Sequence, residues 1–371
     1  MNKALQLLEL GQSLWFDSIR RGMLHNGEMA GMIARGEIRG VTSNPTIFMQ
    51  AITKSTDYDD SLQALGKTAL KPEDVFFKLA IEDIQAAADL FAPLYQQTQG
   101  GDGYVSLEVS PNLAYDSEAT LVQAKEIWRR VNRPNLMIKI PATSAGLPAI
   151  TAAIAAGINV NATLIFSIDR YREVMEAYLK GLEQRLSAGL QLKDIASVAS
   201  FFVSRMDSKV DLQLQKIIDA GGANAAIAEQ LLGKAAIANA RLAYATFKEV
   251  AASTRFMALQ AQGAQVQRPL WASTSTKNPA YRDVRYVEEL IGKDTVNTVP
   301  PQTLAAFLDH GEVRPSLEED LEGARKVFEQ LEVIGISYRK VTDELEVEGV
   351  NAFADAFTTL LNAIEERRKV F

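Results

Sequence analysis

The stretch Leu136-Met137-Ile138-Lys139-Ile140-Pro141-Ala142 places a single lysine inside an otherwise apolar run. A short apolar run of this kind is typical of a buried strand. An ammonium group in such a strand is costly unless it is paired or loses its proton. A lysine whose pKa is lowered by burial becomes an amine nucleophile fit for Schiff-base chemistry on carbonyl substrates. A lysine that reaches out from an edge strand, or is neutralised by a carboxylate, explains the stretch equally well.

Strand-like segments recur along the chain and alternate with helix-like stretches. They cover residues 13–19, 40–46, 104–109, 136–142, 158–166, 196–203, 269–273 and 295–299. Strands that alternate with helices indicate an α/β fold with a parallel sheet, and eight such units favour a single (β/α)8 TIM barrel. A doubly wound sheet is the alternative, but it usually carries a glycine-rich turn after its first strand, and residues 16–22 contain none.

The pattern changes beyond residue 311 to glutamate-rich helices, predicted over residues 317–331 and 350–369. Residues 333–342 between them are ambiguous between a loop and a strand. We therefore predict a barrel domain over residues 1–311 and a C-terminal helical extension over residues 312–371, packed on the barrel. The extension could cover the barrel bottom or make a subunit contact, and its charge runs are typical of solvated helix faces.

The composition restricts the chemistry. The 371 residues are 47% hydrophobic with a net charge of −7, which indicates a globular protein and argues against nucleic acid or an anionic membrane as the main partner. The absence of cysteine excludes disulfides and thiolate sites, and only two histidines, His25 and His310, disfavour a histidine metal centre or a Ser-His-Asp triad. We expect no metal and no cofactor. We also expect a cytoplasmic location, since we find neither a signal-peptide pattern nor an apolar run of about 18 residues.

Polar side chains interrupt several of the predicted strands. Asp17 ends the first strand, Glu108 lies within the third, and Lys139 on the next strand would be its neighbour if strands pair in order. Other polar residues at comparable positions are Asn161, Thr163, Ser200 and Arg205. Each alone has an ordinary explanation, such as a helix cap for Asp17 or a pairing partner for Glu108. Together they predict one site at the carboxyl ends of the strands, because a buried core gives no reason to hold such charges.

These residue types suit the breaking of a carbon–carbon bond by a lysine. An uncharged Lys139 would attack a ketone carbon and form an iminium, which is an electron sink for the neighbouring bond. Asp17 would take the proton of the departing hydroxyl. Glu108 would exchange protons near the lysine, through a water held by Thr163. No step requires a metal.

In these motifs the sequence resembles the transaldolase family, Schiff-base enzymes of the pentose phosphate pathway. The matching motifs lie at residues 14–17, 40–46, 105–109, 137–142, 161–167 and 271–273, in order along roughly residues 13–311. The resemblance implies Lys139 as the Schiff-base lysine, Asp17 as the acid/base of aldol cleavage, and Glu108 with Thr163 as the holders of a catalytic water. It also implies that the bound dihydroxyacetone unit contacts Asn44, Asn161 and Ser200.

The resemblance further implies a phosphate site with one departure from the family pattern. Arg205 and Ser273 match two of its residues, but the second arginine expected just after the seventh strand is missing. Residues 273–278 offer only Lys277, shifted by an apparent insertion. A lysine binds phosphate as a point charge and lacks the bidentate fork of arginine. We expect Arg205, Ser273 and Lys277 to bind the substrate phosphate.

Three functions are consistent with the sequence. The first is transaldolase, a transferase that moves dihydroxyacetone from sedoheptulose 7-phosphate or fructose 6-phosphate to glyceraldehyde 3-phosphate or erythrose 4-phosphate. The second is a lyase resembling fructose 6-phosphate aldolase, and the third is a non-catalytic barrel that binds a sugar phosphate. The transferase and the lyase differ in the carboxylate that handles the bound water, and the presence of Glu108 favours the transferase. We expect sugar phosphates as substrates, no nucleic-acid or membrane partner, and a monomer or homodimer.

Overall fold

Seven strands and the helices between them make up most of the molecule. The computed structural model describes residues 2–66 and 68–370. The strands are β1 (Gln12–Phe16), β2 (Val105–Glu108), β3 (Leu136–Pro141), β4 (Val160–Ile165), β5 (Ser197–Phe202), β6 (Gln267–Ala272) and β7 (Thr295–Val299). The helices are α1 (Lys3–Glu9), α2 (Arg21–His25), α3 (Glu28–Ala34), α4 (Pro45–Thr53), α5 (Asp59–Gly66), α6 (Pro72–Gln97), α7 (Ser117–Val131), α8 (Gly146–Ala155), α9 (Ile168–Ser187), α10 (Ser204–Ala220), α11 (Ala225–Leu231), α12 (Ala235–Ala251), α13 (Thr254–Gln260), α14 (Arg285–Glu288), α15 (Pro301–His310), α16 (Leu321–Val333) and α17 (Tyr338–Val370), with a 3-10 turn at Pro111–Leu113. None of the helices in these ranges has the length and apolar character needed to cross a bilayer.

The strands form one curled parallel sheet. Their order is β1-β7-β6-β5-β4-β3-β2, so strands β2 to β7 pair in chain order and β7 pairs back to β1. Nearly every strand residue is buried, as expected when both faces of a parallel sheet are covered. The predicted α/β fold with a parallel sheet is therefore confirmed.

The predicted strand over residues 40–46 is wrong except at one residue. Val41 forms parallel bridges to Phe16 of β1 and to Val105 of β2. The following residues leave the sheet because Asn44 and Pro45 start α4. The Asn44 side chain accepts a hydrogen bond from the Ile47 amide, and Pro45 occupies the first helical turn. An extended asparagine followed by proline is a helix start, and this local signal was present in the sequence.

Several helix boundaries also differ from the predictions. The helix-like pattern of residues 223–247 predicts one helix, but the structure has two, α11 and α12, separated near Gly233, whose φ is +67°. A positive φ interrupts a helix and favours glycine. In the C-terminal extension, the ambiguous residues 333–342 contain the start of α17, which is much longer than the predicted helix over residues 350–369.

Helix α17 crosses the carboxyl end of the sheet. It packs against α4, α5 and α6 and contacts β4. The ring of Phe357 lies 5.4 Å from that of Phe76 on α6, edge to face. Near its end, Arg368 donates hydrogen bonds to the carbonyls of Thr68 and Leu70. The helix thus covers the end of the sheet that holds the polar strand residues, and not the opposite end, which was one of the two alternatives for the extension.

Candidate active site

A cavity of about 920 Å³ opens at the carboxyl ends of the strands. Its lining includes most of the side chains singled out in the sequence, namely Asp17, Asn44, Lys139, Ser200, Arg205, Ser273 and Lys277. Glu108, Asn161 and Thr163 are buried and do not line it. Within residues 2–66 and 68–370, no three histidine, aspartate or glutamate side chains are grouped as a metal site.

Lys139 lies on an interior strand of the sheet with its side chain only 5% exposed. β3 pairs with β2 and β4, and the register places Lys139 beside Glu108 on one side and Asn161 on the other. The Lys139 Nζ donates a hydrogen bond of 3.1 Å to the Ser43 carbonyl and lies 3.5 Å from Glu108 Oε2. The explanation that this lysine reaches out from an edge strand is therefore wrong. The other explanation, a neighbouring carboxylate, has its counterpart in Glu108. The amine still faces the cavity.

Glu108 is a buried carboxyl group beside the amine. Neither of its oxygens makes a hydrogen bond within the described residues, and the 3.5 Å approach of Lys139 is longer than an ordinary hydrogen bond. Burial raises the pKa of Glu108 to about 7, although the positive charge of Lys139 opposes the rise. A carboxyl group with a pKa near neutrality can both give and take a proton, which suits acid–base catalysis.

The raised pKa of Glu108 predicts how the free energy of unfolding depends on pH. The folded protein binds the Glu108 proton more tightly than the unfolded chain, whose carboxyl has the ordinary pKa of 4.5. The stability contributed by this group is therefore complete below about pH 4.5 and is lost as the pH rises through about 7. Glu108→Gln removes the titration. We expect the free energy of unfolding of the variant, relative to the wild type, to rise by about 3 kcal/mol between pH 4.5 and pH 8.

Urea unfolding at a series of pH values measures this difference. An unchanged dependence of the unfolding free energy on urea concentration is the control, since it shows that both proteins expose the same surface. Parallel stability curves for the two proteins would contradict the assignment of a near-neutral pKa to Glu108.

Asp17 faces the cavity from the end of β1 and accepts a hydrogen bond from Thr42, which is in turn hydrogen-bonded to Thr298. The Thr42 hydroxyl donates a hydrogen bond of 2.5 Å to Asp17 Oδ1, and the Thr42 and Thr298 hydroxyls lie 2.7 Å apart. Burial raises the pKa of Asp17, while Lys139, Thr42 and Lys277 act to lower it. The helix-cap explanation is wrong, because the residue at the N-cap of α2 is Arg20.

Thr42 and Thr298 were not identified from the sequence as site residues. Thr42 lies in the motif at residues 40–46, so its proximity to the site was visible there. Its contact with Asp17 depends on the approach of β1 and the segment around Val41, shown by the hydrogen bond from the Thr42 amide to the Phe16 carbonyl. No pattern within either segment specifies that contact.

Hydrogen bonds connect polar side chains of β2, β4 and β5 beneath the cavity. The Asn161 side-chain amide donates to Ser106 Oγ at 3.1 Å, and Ser200 Oγ donates to Asn161 Oδ1 at 2.7 Å. These bonds fix the orientation of the Asn161 amide between β2 and β5. The resulting surface consists of hydroxyl and amide groups, which are the groups that bind sugar hydroxyls.

β4 contains an irregularity next to Thr163. Its register with β5 shifts between Ala162 and Ile165, and Leu164 has a φ of +61°. A bulge of this kind redirects the neighbouring side chains, and a leucine in the left-handed region is strained. The Thr163 hydroxyl is buried without a hydrogen-bond partner in the described part of the chain. It is therefore able to bind a small polar group.

The cations Arg205 and Lys277 also line the cavity. Arg205 lies in the first turn of α10, with its guanidinium 5.4 Å from the ring centre of Phe202. Lys277 Nζ donates to Ser275 Oγ at 2.6 Å. Burial lowers the pKa of Lys277, and the charge of Arg205 lowers it further, so the two cations are close enough to repel. An anion between them would relieve this repulsion.

Known proteins align with nearly the whole of this chain. The family model described as Transaldolase/Fructose-6-phosphate aldolase matches residues 14–364, and so includes most of the C-terminal extension. A transaldolase of Saccharopolyspora erythraea is 48% identical over 97% of this chain and 96% of the relative. A transaldolase of Trichodesmium erythraeum is 46% identical over 99% of this chain and 98% of the relative. A transaldolase of Thermobifida fusca is 48% identical over 98% of this chain and 97% of the relative. The chain belongs to the transaldolase/fructose-6-phosphate aldolase family.

Proposed function

We propose that this protein is a transaldolase. It transfers a dihydroxyacetone unit from fructose 6-phosphate or sedoheptulose 7-phosphate to glyceraldehyde 3-phosphate or erythrose 4-phosphate. The observation that carries the proposal is the buried Lys139 amine, 3.5 Å from Glu108 and in one cavity with Asp17. Relatives named transaldolase, at 46–48% identity over nearly their full length, support transfer as the reaction.

The first half of the reaction forms the Schiff base. The Lys139 nitrogen adds to the ketone carbon of the donor, and the carbonyl oxygen becomes a hydroxyl group. Protonated Glu108 supplies the proton with which this hydroxyl leaves as water, and an iminium remains. The near-neutral pKa of Glu108 supports this role. A water held between Glu108 and Thr163 would carry the proton, and the unpaired Thr163 hydroxyl supports that arrangement.

The second half breaks and remakes the carbon–carbon bond. Asp17 takes the proton of the C4 hydroxyl, the C3–C4 bond breaks, and its electrons move into the iminium to give an enamine. The aldose product leaves as its aldehyde. The enamine carbon then attacks the acceptor aldehyde while Asp17 returns the proton, and hydrolysis frees the new ketose. The hydrogen bond from Thr42 supports a fixed orientation of the Asp17 carboxyl.

Three side chains would orient the dihydroxyacetone unit. Asn161 and Ser200 form one hydrogen-bonded pair on adjacent strands, and Asn44 lines the cavity from the start of α4. Because the Asn44 oxygen is engaged by the Ile47 amide, its NH₂ group is the part that would donate to a substrate hydroxyl. These contacts would align the C3–C4 bond with the iminium.

Arg205, Ser273 and Lys277 would bind the substrate phosphate. We expect Lys277→Ala to raise the KM for phosphorylated donors about tenfold with little change in kcat, because one charge-assisted contact is lost. Steady-state kinetics with fructose 6-phosphate measures this. Lys277→Arg should retain a low KM, since it supplies the charge together with a fork.

A lysine far from the cavity provides the control for this substitution. Lys216 is exposed on α10 and does not line the cavity, so Lys216→Ala should leave the KM unchanged. An unchanged KM in Lys277→Ala as well would mean that the phosphate binds elsewhere.

A coupled assay separates the transferase from the lyase alternative. With fructose 6-phosphate and no acceptor, a transaldolase should release very little free dihydroxyacetone, whereas addition of an aldose phosphate should restore donor consumption. Release of dihydroxyacetone at the rate of donor consumption, without acceptor, would instead support the aldolase-like lyase.

We further infer that residues 1–311 form a closed (β/α)8 barrel, with residues 312–371 as a helical extension packed on it. The support is the segment around Val41, which bridges β1 and β2 and would serve as the eighth strand. A cytoplasmic location and a monomeric or dimeric state stay predictions.

A further inference from the structure

Helix α17 contributes an aromatic ring to the wall of the cavity directly above the reactive amine. Phe353 is 5% exposed and lines the cavity, and its ring centre lies 5.6 Å from Lys139 Nζ. The mechanism above assigns this ring no task. At this distance the ring presents apolar surface to the amine on its cavity side.

Several contacts fix the position of α17 near this ring. Gly349, one turn before Phe353, passes so close to the end of β4 that a Cβ there would lie 3.2 Å from Leu164 and Phe166. Just before Gly349 on α17, Glu344 and Glu348 form ion pairs with Lys209 of α10, at 2.8 Å and 2.6 Å. The close approach of Gly349 to Leu164 and Phe166, together with these ion pairs, therefore fixes how deeply the Phe353 ring enters the cavity.

The same face of α17 reaches the second group of the buried pair. Phe357, one helical turn after Phe353, is 1% exposed and lines a small cavity together with Glu108, Asn44 and Phe76. The apolar stripe continues with Leu360 and Ile364, both fully buried. Helix α17 thus covers both Lys139 and Glu108 with aromatic side chains, and Phe353 is the one that also faces the substrate cavity.

We propose that Phe353 is a positioning residue that shields the dihydroxyacetone enamine on Lys139 from protonation by solvent water and so favours transfer over release. The inference rests on the proposed transaldolase function. Release begins when the enamine takes up a proton and returns to the iminium. Water then adds to the iminium carbon, the C–N bond of the resulting carbinolamine breaks, and dihydroxyacetone leaves with the Lys139 amine regenerated. Transfer requires that the enamine survive until an aldehyde binds.

The ring suits this task chemically. An apolar side chain offers water no hydrogen-bonding partner, and the face of an aromatic ring also attracts a cation such as the iminium. The ring of Phe353 is 6.5 Å from that of Phe202, which lies against Arg205. Apolar surface therefore extends from the amine toward the cationic end of the cavity.

The partition of the intermediate tests the inference. The wild type, Phe353→Ala and Phe353→Leu are each incubated with fructose 6-phosphate and erythrose 4-phosphate. The ratio of free dihydroxyacetone to sedoheptulose 7-phosphate is then measured. We expect the ratio to rise roughly tenfold in Phe353→Ala, and less in Phe353→Leu, which still excludes water but lacks the ring face. Because the ratio compares two fates of one intermediate, it does not depend on the amount of folded enzyme.

Phe328→Ala is the matched control. Phe328 lies on α16 of the same extension, packs against Tyr338 at 4.8 Å, and does not line the cavity. Its loss should leave the ratio at the wild-type value. An equal rise in Phe328→Ala and Phe353→Ala would overturn the inference, because it would trace the effect to general loosening of the extension. So would a wild-type ratio in both Phe353 variants. If Phe353→Ala does not fold, Phe353→Leu alone decides in the same way.

Borohydride trapping with fructose 6-phosphate separates this inference from the proposed function. Adducts in the wild type and both Phe353 variants, with an unchanged ratio, would overturn the inference alone. Absence of an adduct in the wild type would overturn the proposed function and the inference with it.

Discussion

Replacement of Lys139 by alanine is expected to abolish turnover and to abolish covalent trapping of a ketose phosphate by borohydride. The amine is the nucleophile of the proposed reaction, and removal of the nucleophile from an enzyme that works through a covalent intermediate lowers kcat on the order of 10⁵-fold or more. Activity measured with fructose 6-phosphate and erythrose 4-phosphate, and the mass of the protein after reduction, report the two effects separately.

The fold should survive this substitution. Loss of Lys139 leaves Glu108 buried without its charged neighbour, and a lone buried carboxylate is destabilising. Because the pKa of Glu108 is already raised by burial, the group can take up a proton instead. Circular dichroism at pH 6 should therefore match the wild type. Lys78→Ala, at an exposed position on α6, should keep both activity and trapping. Turnover that persists in Lys139→Ala would remove the Schiff base from the mechanism.

The Asp17→Ala variant should trap substrate yet cleave it slowly. In the proposed reaction Asp17 acts on the C4 hydroxyl after the Schiff base has formed, so its loss should leave formation of the adduct nearly intact. General acid–base catalysis typically contributes 10²- to 10⁴-fold, and we expect a fall in kcat of about that size. Rapid mixing with fructose 6-phosphate, followed by reduction at set times, measures adduct formation and cleavage in one experiment.

Asp17→Asn serves as the companion variant. The asparagine oxygen can still accept the hydrogen bond from Thr42, so the local packing is retained while the base is lost. Both variants should show similar slow cleavage if the carboxylate itself is needed. A cleavage rate equal to that of the wild type in either variant would exclude Asp17 as the base.

Much of the sheet could be predicted because its information is local. The run around Lys139 is apolar over six residues, and β3 covers nearly the same range. The adjacency of Glu108 and Lys139 followed from the rule that sequential strands of an alternating α/β chain are neighbours. The segment at residues 40–46 departs from the predicted strand after Val41, because Asn44 and Pro45 start a helix and take the chain out of the sheet.

The path of the C-terminal helix could not be predicted. The spacing of Phe353, Phe357, Leu360 and Ile364 shows that one face of a helix is buried, but it does not specify the surface against which that face packs. That surface is made by α4, α6 and the end of β4, which lie some 200 to 300 residues earlier in the chain. The contact of Phe353 with Lys139 is therefore a property of the tertiary structure.

Identification of the residue that binds substrate tests the central claim most directly. The wild-type protein is mixed with fructose 6-phosphate, reduced with borohydride, digested and analysed by mass spectrometry. We predict one stoichiometric adduct with the mass of a reduced dihydroxyacetone unit on the peptide that contains Lys139. An adduct on another lysine, or an unmodified protein after complete reduction, would contradict the account.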